Sequence, residues 1–246
     1  MIRNLLYISL APVVIIALYV YIRDKYEKEP LINLLKALLA GVLIVFPIVF
    51  IEDFARQFTD QFPGLLNPLF TAFGVASITE EGFKLLAFML LFWSSRDFNE
   101  RFDGIVYAVF VSLGFAAIEN IFYVYKGGYE IGLLRALTAV PAHALFGTVM
   151  GYHLANTRFY PEKRNSQLLL AFLVPFTWHG LYDFLLMGKS EILLAIFIPV
   201  FIYFWVNSFK KMNELSDTSV FRNDFPAGSN DQSEETTDYE ELGTRD

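Results

Sequence analysis

The 246-residue chain is 55% apolar and only 18% charged, and its mean hydropathy of +0.43 excludes an ordinary soluble domain in favour of an integral membrane protein. With no cysteine, disulfides and thiolate chemistry are excluded, and any metal would need His and carboxylate ligands. The net charge of −7 belongs to the carboxyl end: Asn213 to Asp246 carry ten acidic and two basic residues, a net of −8 that leaves +1 for Met1 to Met212, and nothing points to nucleic acid.

The apolar run Asn4 to Ile22 has no small-residue cleavage site behind it and is followed at once by Arg23, Lys25 and Lys28. It reads as a retained first span. Leu31 to Ile51 is the second. A mixed loop from Glu52 leads through Pro63 and Gly64 to the third, Asn67 to Trp93, the two turn formers marking a chain reversal. The fourth span is Gly104 to Tyr125, and Lys126-Gly127-Gly128 turns the chain into the fifth, Ile131 to Asn156. Gln167 to Met187 is the sixth and Ile192 to Phe209 the seventh, closed by Lys210 and Lys211. About 20 apolar residues cross a bilayer, so the expected fold is an all-α integral membrane bundle of about seven transmembrane helices. Residues 1–212 form the membrane domain. Residues 213–246 form an acidic tail expected to be disordered. Loops after the first, third, fifth and seventh spans hold ten Lys and Arg against four at the opposite ends, which puts the amino terminus outside and the tail in the cytoplasm.

Ionisable residues inside these spans are the informative feature, because a charge at mid-depth costs about 2.5–3.5 kcal/mol on insertion scales. The third span carries Glu80, Glu81 and Lys84, the fourth Glu119 and Asn120, the fifth His143, and the sixth His179 and Asp183. Glu80 and Lys84 share a helix face. Glu81 stands about 100° away and needs a partner from another helix. Four consecutive helices each bring polar groups, so one shared site between the third and sixth helices is expected. Counting rise per residue places Glu80 near the midplane and His143 roughly 18 Å and His179 about 12 Å below the outer ends, so the cluster runs from the bilayer centre into the outer leaflet, with water reaching it from outside. Ala139, His143, Gly147 and Gly151 make a ridge of mostly small side chains that invites a close neighbour. Pro141 and Pro175 precede the two histidines and should disturb their helices. His153, about 80° from His143 on the wheel, reads as structural, and Arg135 as a side chain reaching out to the interface.

Glu80-Glu81-x-x-Lys84, Phe115-x-x-x-Glu119-Asn120, His143 and His179-x-x-x-Asp183 together resemble the four motifs of the PrsW family of intramembrane proteases, relatives of the CAAX prenyl and bacteriocin-processing membrane enzymes. The resemblance covers the third to sixth spans. It implies a multi-pass protease of the bacterial plasma membrane, residues 1–212 being the protease domain, which cuts a membrane-anchored protein on its extracytoplasmic side, as in the first cleavage of an anti-sigma factor.

Peptide hydrolysis needs an activated water, oxyanion stabilisation and a proton donor for the leaving amine. Glu81 or Glu80 is the expected base, moderated by Lys84. Glu119, His143 and His179 are the expected Zn2+ ligands, with Asp183 orienting His179 or itself ligating. A metal-free version, in which the histidines and Asn120 hold water and oxyanion, stays open beside it. The competing classes are a proton- or cation-coupled transporter, since buried Glu and His also line ion pathways, and a scaffold recruiting basic partners through its acidic tail. The bilayer and a membrane-anchored protein substrate are the expected partners.

Overall fold

The structure, a computed structural model, describes residues 2–222; the rest of the acidic tail, residues 223–246, lies outside the described residues. Among the described residues there are helices and no strands. Helix α1 spans Ile2–Arg23 and α2 Leu31–Arg56. A third rod begins with α3, Leu66–Leu69, passes through a π-helical stretch, Phe70–Ser77, and continues as α4, Ile78–Leu91. Then come α5 (Arg101–Leu137), α6 (Ala139–Phe159), α7 (Arg164–Met187) and α8 (Glu191–Asp217).

Among the described residues five stretches are long and apolar enough to cross a membrane: Asn4–Arg23, Leu31–Gln61, Arg101–Phe159, Pro161–Met187 and Glu191–Asp217. The third of these, at 59 residues, is about three times the length one crossing needs and folds back on itself as α5 and α6. The rod from Leu66 to Leu91 is not among the five and carries Glu80, Glu81 and Lys84 in its length.

The bundle is built around α5. Every residue from Phe102 to Ala117 is buried, the pattern of a helix that is apolar all round because it has neighbours on every side. The ridge on α6 explains how close one neighbour comes. A Cβ on Gly151 would stand 2.2 Å from Gly104 O, and one on Gly147 would stand 2.9 Å from Ala108 O. Only hydrogen fits there, and the two backbones meet.

Three boundaries differ from those read in the sequence. The chain does reverse at Gly127-Gly128, but helix resumes at once beyond Gly128, whose φ of 76° is a conformation glycine adopts freely. The limb after Gly128 runs back along the first, so a Cβ on Gly132 would meet Val124 at 3.2 Å and Ile8 at 3.0 Å. The fifth span is then broken at Thr138 (φ −124°, ψ −67°). Pro141 accounts for that break, since proline is tolerated in a helix's first turn but not in its interior. Finally, α2 runs on to Arg56, making Glu52 a helical residue, and α8 runs through Met212 to Asp217.

Candidate active site

The π-helical stretch ends three residues before Glu80. Such stretches are rare and cluster at functional sites, and each inserted residue turns whatever follows by about 100°. At its end Thr79 Oγ1 lies 2.6 Å from Val75 O, 2.9 Å from Ala76 O and 3.3 Å from Glu52 Oε1. Ser77 donates to Phe176 O of α7 at 2.5 Å. The same pair of segments is locked one turn further along, where the Phe73 ring occupies the place a Cβ on Gly180 would take. These contacts set the height at which α4 meets α7.

Lys84, fully buried, then reaches both acids of its own helix: Nζ is 2.7 Å from Glu81 Oε1 and 3.2 Å from Glu80 Oε2. The partner Glu81 needs from another helix is His179, whose Nδ1 lies 2.8 Å from the same Oε1. His179 Nε2 points to the other side, 3.4 Å from Asp183 Oδ2 and 3.8 Å from Glu80 Oε2. Its ring stacks on Phe146 at 4.8 Å.

Lys84 Nζ also lies 3.2 Å from His143 Nδ1 and 4.5 Å from the centre of the Phe115 ring. An ammonium group only donates, so His143 Nδ1 accepts and Nε2 carries the proton. That proton goes to Glu119 Oε2 at 2.9 Å. Glu119 Oε2 accepts a second bond from Arg135 at 2.8 Å, and Arg135 Nε donates to Asn120 Oδ1 at 2.9 Å. Asn120 Nδ2 ends the line on Ser9 O of α1 at 2.8 Å. One polar chain therefore runs from α7 through α4, α6 and α5 to α1.

The eight residues singled out in the sequence thus lie on one network. Of the expected Zn2+ ligands Glu119, His143 and His179, His143 has one ring nitrogen beside Lys84 and the other beside Glu119, while His179 lies on the other side of Lys84 with Glu81. Among the described residues the group of three donors that closes within 4.8 Å is Glu80, Glu81 and His179. The group suits a divalent cation on two counts. Two carboxylates and an imidazole are its ordinary donors, and Glu81 Oε2 is buried without any hydrogen-bond partner. Asn120, expected to face the reacting atoms, is turned to α1 and Arg135. Arg135 itself does not reach out to the interface: the reversal at Gly128 brings it inward, over the Tyr123 ring at 4.0 Å and onto Glu119. Glu52, read as part of a loop, is buried and paired with Arg56 at 2.9 Å. Its signal was the i, i+4 step to Arg56. His153 is held by Gln167 Oε1 at 2.8 Å, within α6 and α7 and two turns and more from His143.

Comparison with known proteins adds the rest. Residues 29–207 match the model of the PrsW family intramembrane metalloprotease. The chain is similar to the protease PrsW of Oceanobacillus iheyensis, 35% identical over 217 residues, covering 88% of this chain and 98% of that one. It is 41% identical over 189 residues to the protease PrsW of Geobacillus kaustophilus (76% and 82% covered) and 33% identical over 215 residues to that of Bacillus subtilis (87% and 96% covered). No solved structure shows a significant match. A family model spanning most of the chain, full-length relatives, and a buried Glu-Glu-His centre among apolar helices agree: the chain belongs to the PrsW family of intramembrane metalloproteases, a family of peptidases.

Proposed function

We propose that the chain hydrolyses a peptide bond of a membrane-anchored protein, on the extracytoplasmic side, with Glu81 as the base that activates water. The observation that carries this reading is the Glu81 carboxylate. Its Oε1 is saturated by Lys84 and His179, whereas its Oε2 is buried and unpartnered. A free carboxylate oxygen held rigidly by its twin is what a general base needs, because only orientation and one lone pair are required of it. Lys84 keeps the paired acids Glu80 and Glu81 from repelling one another. Asp183 and Glu81 hold the His179 ring between them, and the proton that Glu81 takes from water is then placed to reach the departing amine.

Glu80 and His179, beside the Glu81 carboxylate that is kept for the water, are the residues that would hold a metal, read as Zn2+. Bound there, the ion would polarise the scissile carbonyl and acidify the water. The way the other donors are spent supports this over the metal-free version. Lys84 has three N–H groups and three acceptors around it, Glu80, Glu81 and His143, while His143 and Asn120 are committed elsewhere. Among the described residues no idle side-chain donor stands ready for an oxyanion at this point. Glu119, His143, Asn120 and Arg135 act as positioning residues that fix Lys84.

The helix order supports a reading of seven crossings, with the rod from Leu66 to Leu91 as the third, and the basic residues of alternate loops support an amino terminus outside and a carboxyl end in the cytoplasm. Bacterial relatives support the bacterial plasma membrane. The partly exposed side chains of Glu119 and Asp183 support water reaching the site from the outer side, as a first-site cleavage of an anti-sigma-factor type of substrate requires. No comparable observation supports a cation-coupled transporter. The test is cleavage of single-span reporter proteins in liposomes by the wild type and by Glu81→Gln, with elemental analysis of both Glu81→Gln and His179→Ala. The expected result is cleavage by the wild type, a loss of about a thousandfold or more in Glu81→Gln, and stoichiometric zinc that His179→Ala loses. Equal cleavage by wild type and Glu81→Gln refutes the assignment.

A further inference from the structure

An open cleft of about 510 Å³ lies at the end of the bundle where α7 finishes and α3 begins. One wall is Gly64, Leu65, Asn67, Pro68 and Thr71, and the other is Met187, Gly188 and Lys189. Both walls are continuations of the segments that carry the Glu-Glu-His centre. Thr71 lies nine residues ahead of Glu80 on the same rod. On α7, His179, Asp183 and Met187 follow at steps of four, so a single helix face leads from the centre to the cleft. The intermediate residue, Asp183, is partly exposed. Eight residues of helix separate Met187 from His179, about 12 Å along the axis.

The charge in the cleft belongs to Lys189. It is the one non-glycine residue among those described with a left-handed backbone (φ 47°), a conformation that side-chain-bearing residues adopt at a cost of order 1–3 kcal/mol. Among the described residues its ammonium has no salt bridge or hydrogen-bond partner, although Lys and Arg side chains elsewhere close six ion pairs. A cleft of peptide dimensions, one uncompensated cation on its wall and a direct line to the catalytic carboxylates define what fits: an extended peptide segment bearing an acidic side chain.

We propose that this cleft is the recognition subsite for the part of the substrate flanking the scissile bond on the outer side, and that Lys189 selects an Asp or Glu there. An extended chain covers about 12 Å in roughly four residues, so the acidic residue stands about four positions from the cut. The inference rests on the protease reading above. Lys189 touches none of the reacting groups, so it governs which substrate is taken rather than whether hydrolysis occurs.

The test uses the full chain in liposomes with a library of single-span reporters whose ten residues next to the outer membrane surface are randomised. Cleaved products are identified by mass spectrometry, which gives both the cut and its flanks. For the wild type, Asp and Glu are expected to be enriched about threefold to fivefold three to five residues from the cut, the range an exposed ion pair supports. Lys189→Glu is expected to replace that enrichment by one for Lys and Arg, and Lys189→Gly, which keeps the backbone at ease, to abolish it. Cleavage with no charge preference, or a preference unchanged in Lys189→Glu, overturns the subsite and leaves Lys189 as a residue facing lipid headgroups. No cleavage by the wild type overturns the protease reading itself, and the subsite with it.

Discussion

Gly180 is the point at which the site is most sensitive to a single methyl group. A Cβ there would stand 2.3 Å from Cδ1 and 2.4 Å from Cε1 of Phe73, whereas carbon atoms rest about 3.5–4.0 Å apart. In Gly180→Ala, the ring or the helix must therefore retreat by about 1.2 Å. Phe73 is itself wedged against Phe176, ring centres 5.6 Å apart, so the strain passes into the spacing of the π-helical stretch and α7. That spacing sets the 2.8 Å contact between His179 and Glu81. Lengthened by ~1 Å, the contact leaves hydrogen-bonding range. Misplacement of catalytic groups by about 1 Å costs on the order of a hundredfold in rate, equivalent to about 2.7 kcal/mol of transition-state stabilisation, and overpacking lowers stability by about 1–3 kcal/mol. The assay is reporter cleavage in liposomes at saturating and limiting substrate, with thermal unfolding in detergent run in parallel. The loss is expected in kcat rather than KM. A Phe73→Leu change added to Gly180→Ala is expected to return at least tenfold of the lost rate, because the two positions are in contact and their effects do not add. A Gly180→Ala variant with wild-type kcat, or a folded double variant no faster than Gly180→Ala alone, would refute the reasoning.

Arg135 bridges Glu119 and Asn120 with separate nitrogens, a fork a lysine cannot reproduce; Arg135→Lys is expected to lower stability by about 1–3 kcal/mol and activity by roughly tenfold, with Arg135→Met worse in both, as measured by thermal unfolding and reporter cleavage, and an Arg135→Lys variant indistinguishable from wild type would count against the network. A pH dependence is expected at the opposite end of the bundle, where burial pushes Glu29 and Glu100 up to about 7 from 4.5 and Asp24 up to about 6 from 3.8. Carboxyls with raised values keep their protons in the folded state while the unfolded chain loses them, so their contribution is complete at acid pH and declines as pH rises from about 4.5 through 7. Glu29 accepts from the Tyr107 hydroxyl and Glu100 from that of Ser219, so hydrogen exchange at residues 24–30, 97–103 and 216–220, corrected for intrinsic rate, should speed up between pH 5.5 and 8; protection that is flat or rises with pH contradicts this.

The helices that carry the site were legible because ionisable residues in apolar sequence have few innocent explanations. Which atoms would meet was not. A helical wheel gives the face of His143 but not which ring nitrogen looks toward Lys84, and that choice decides whether the ring is a ligand or a link. The π-helical stretch Phe70–Ser77 has no residue signature at all: FTAFGVAS would serve equally in an α-helix, and only packing against Phe176 and Gly180 favours the wider turn. Arg135 was misread for a different reason. Its distance from the turn at Gly127-Gly128 put it near an outer end, and nothing local announces that the limb beyond Gly128 folds back along α1 and α5 before the break at Thr138.

The arrangement also explains why a membrane helix tolerates three charges in five residues. A lone Glu or Lys at this depth would be strongly disfavoured, and an ion pair made only within α4 would leave Glu81 short of a partner. Lys84 resolves this by standing at the junction of three helices, where each N–H finds a separate acceptor and the Phe115 face covers the fourth side. Every other member is satisfied in turn along the line to Ser9, and half-satisfied networks are the costly ones. Against that background the unpartnered Glu81 Oε2 stands out. Of the four buried carboxylate oxygens without a partner among the described residues, on Asp24, Glu27, Glu81 and Asp103, that of Glu81 is the one beside the Glu-Glu-His group.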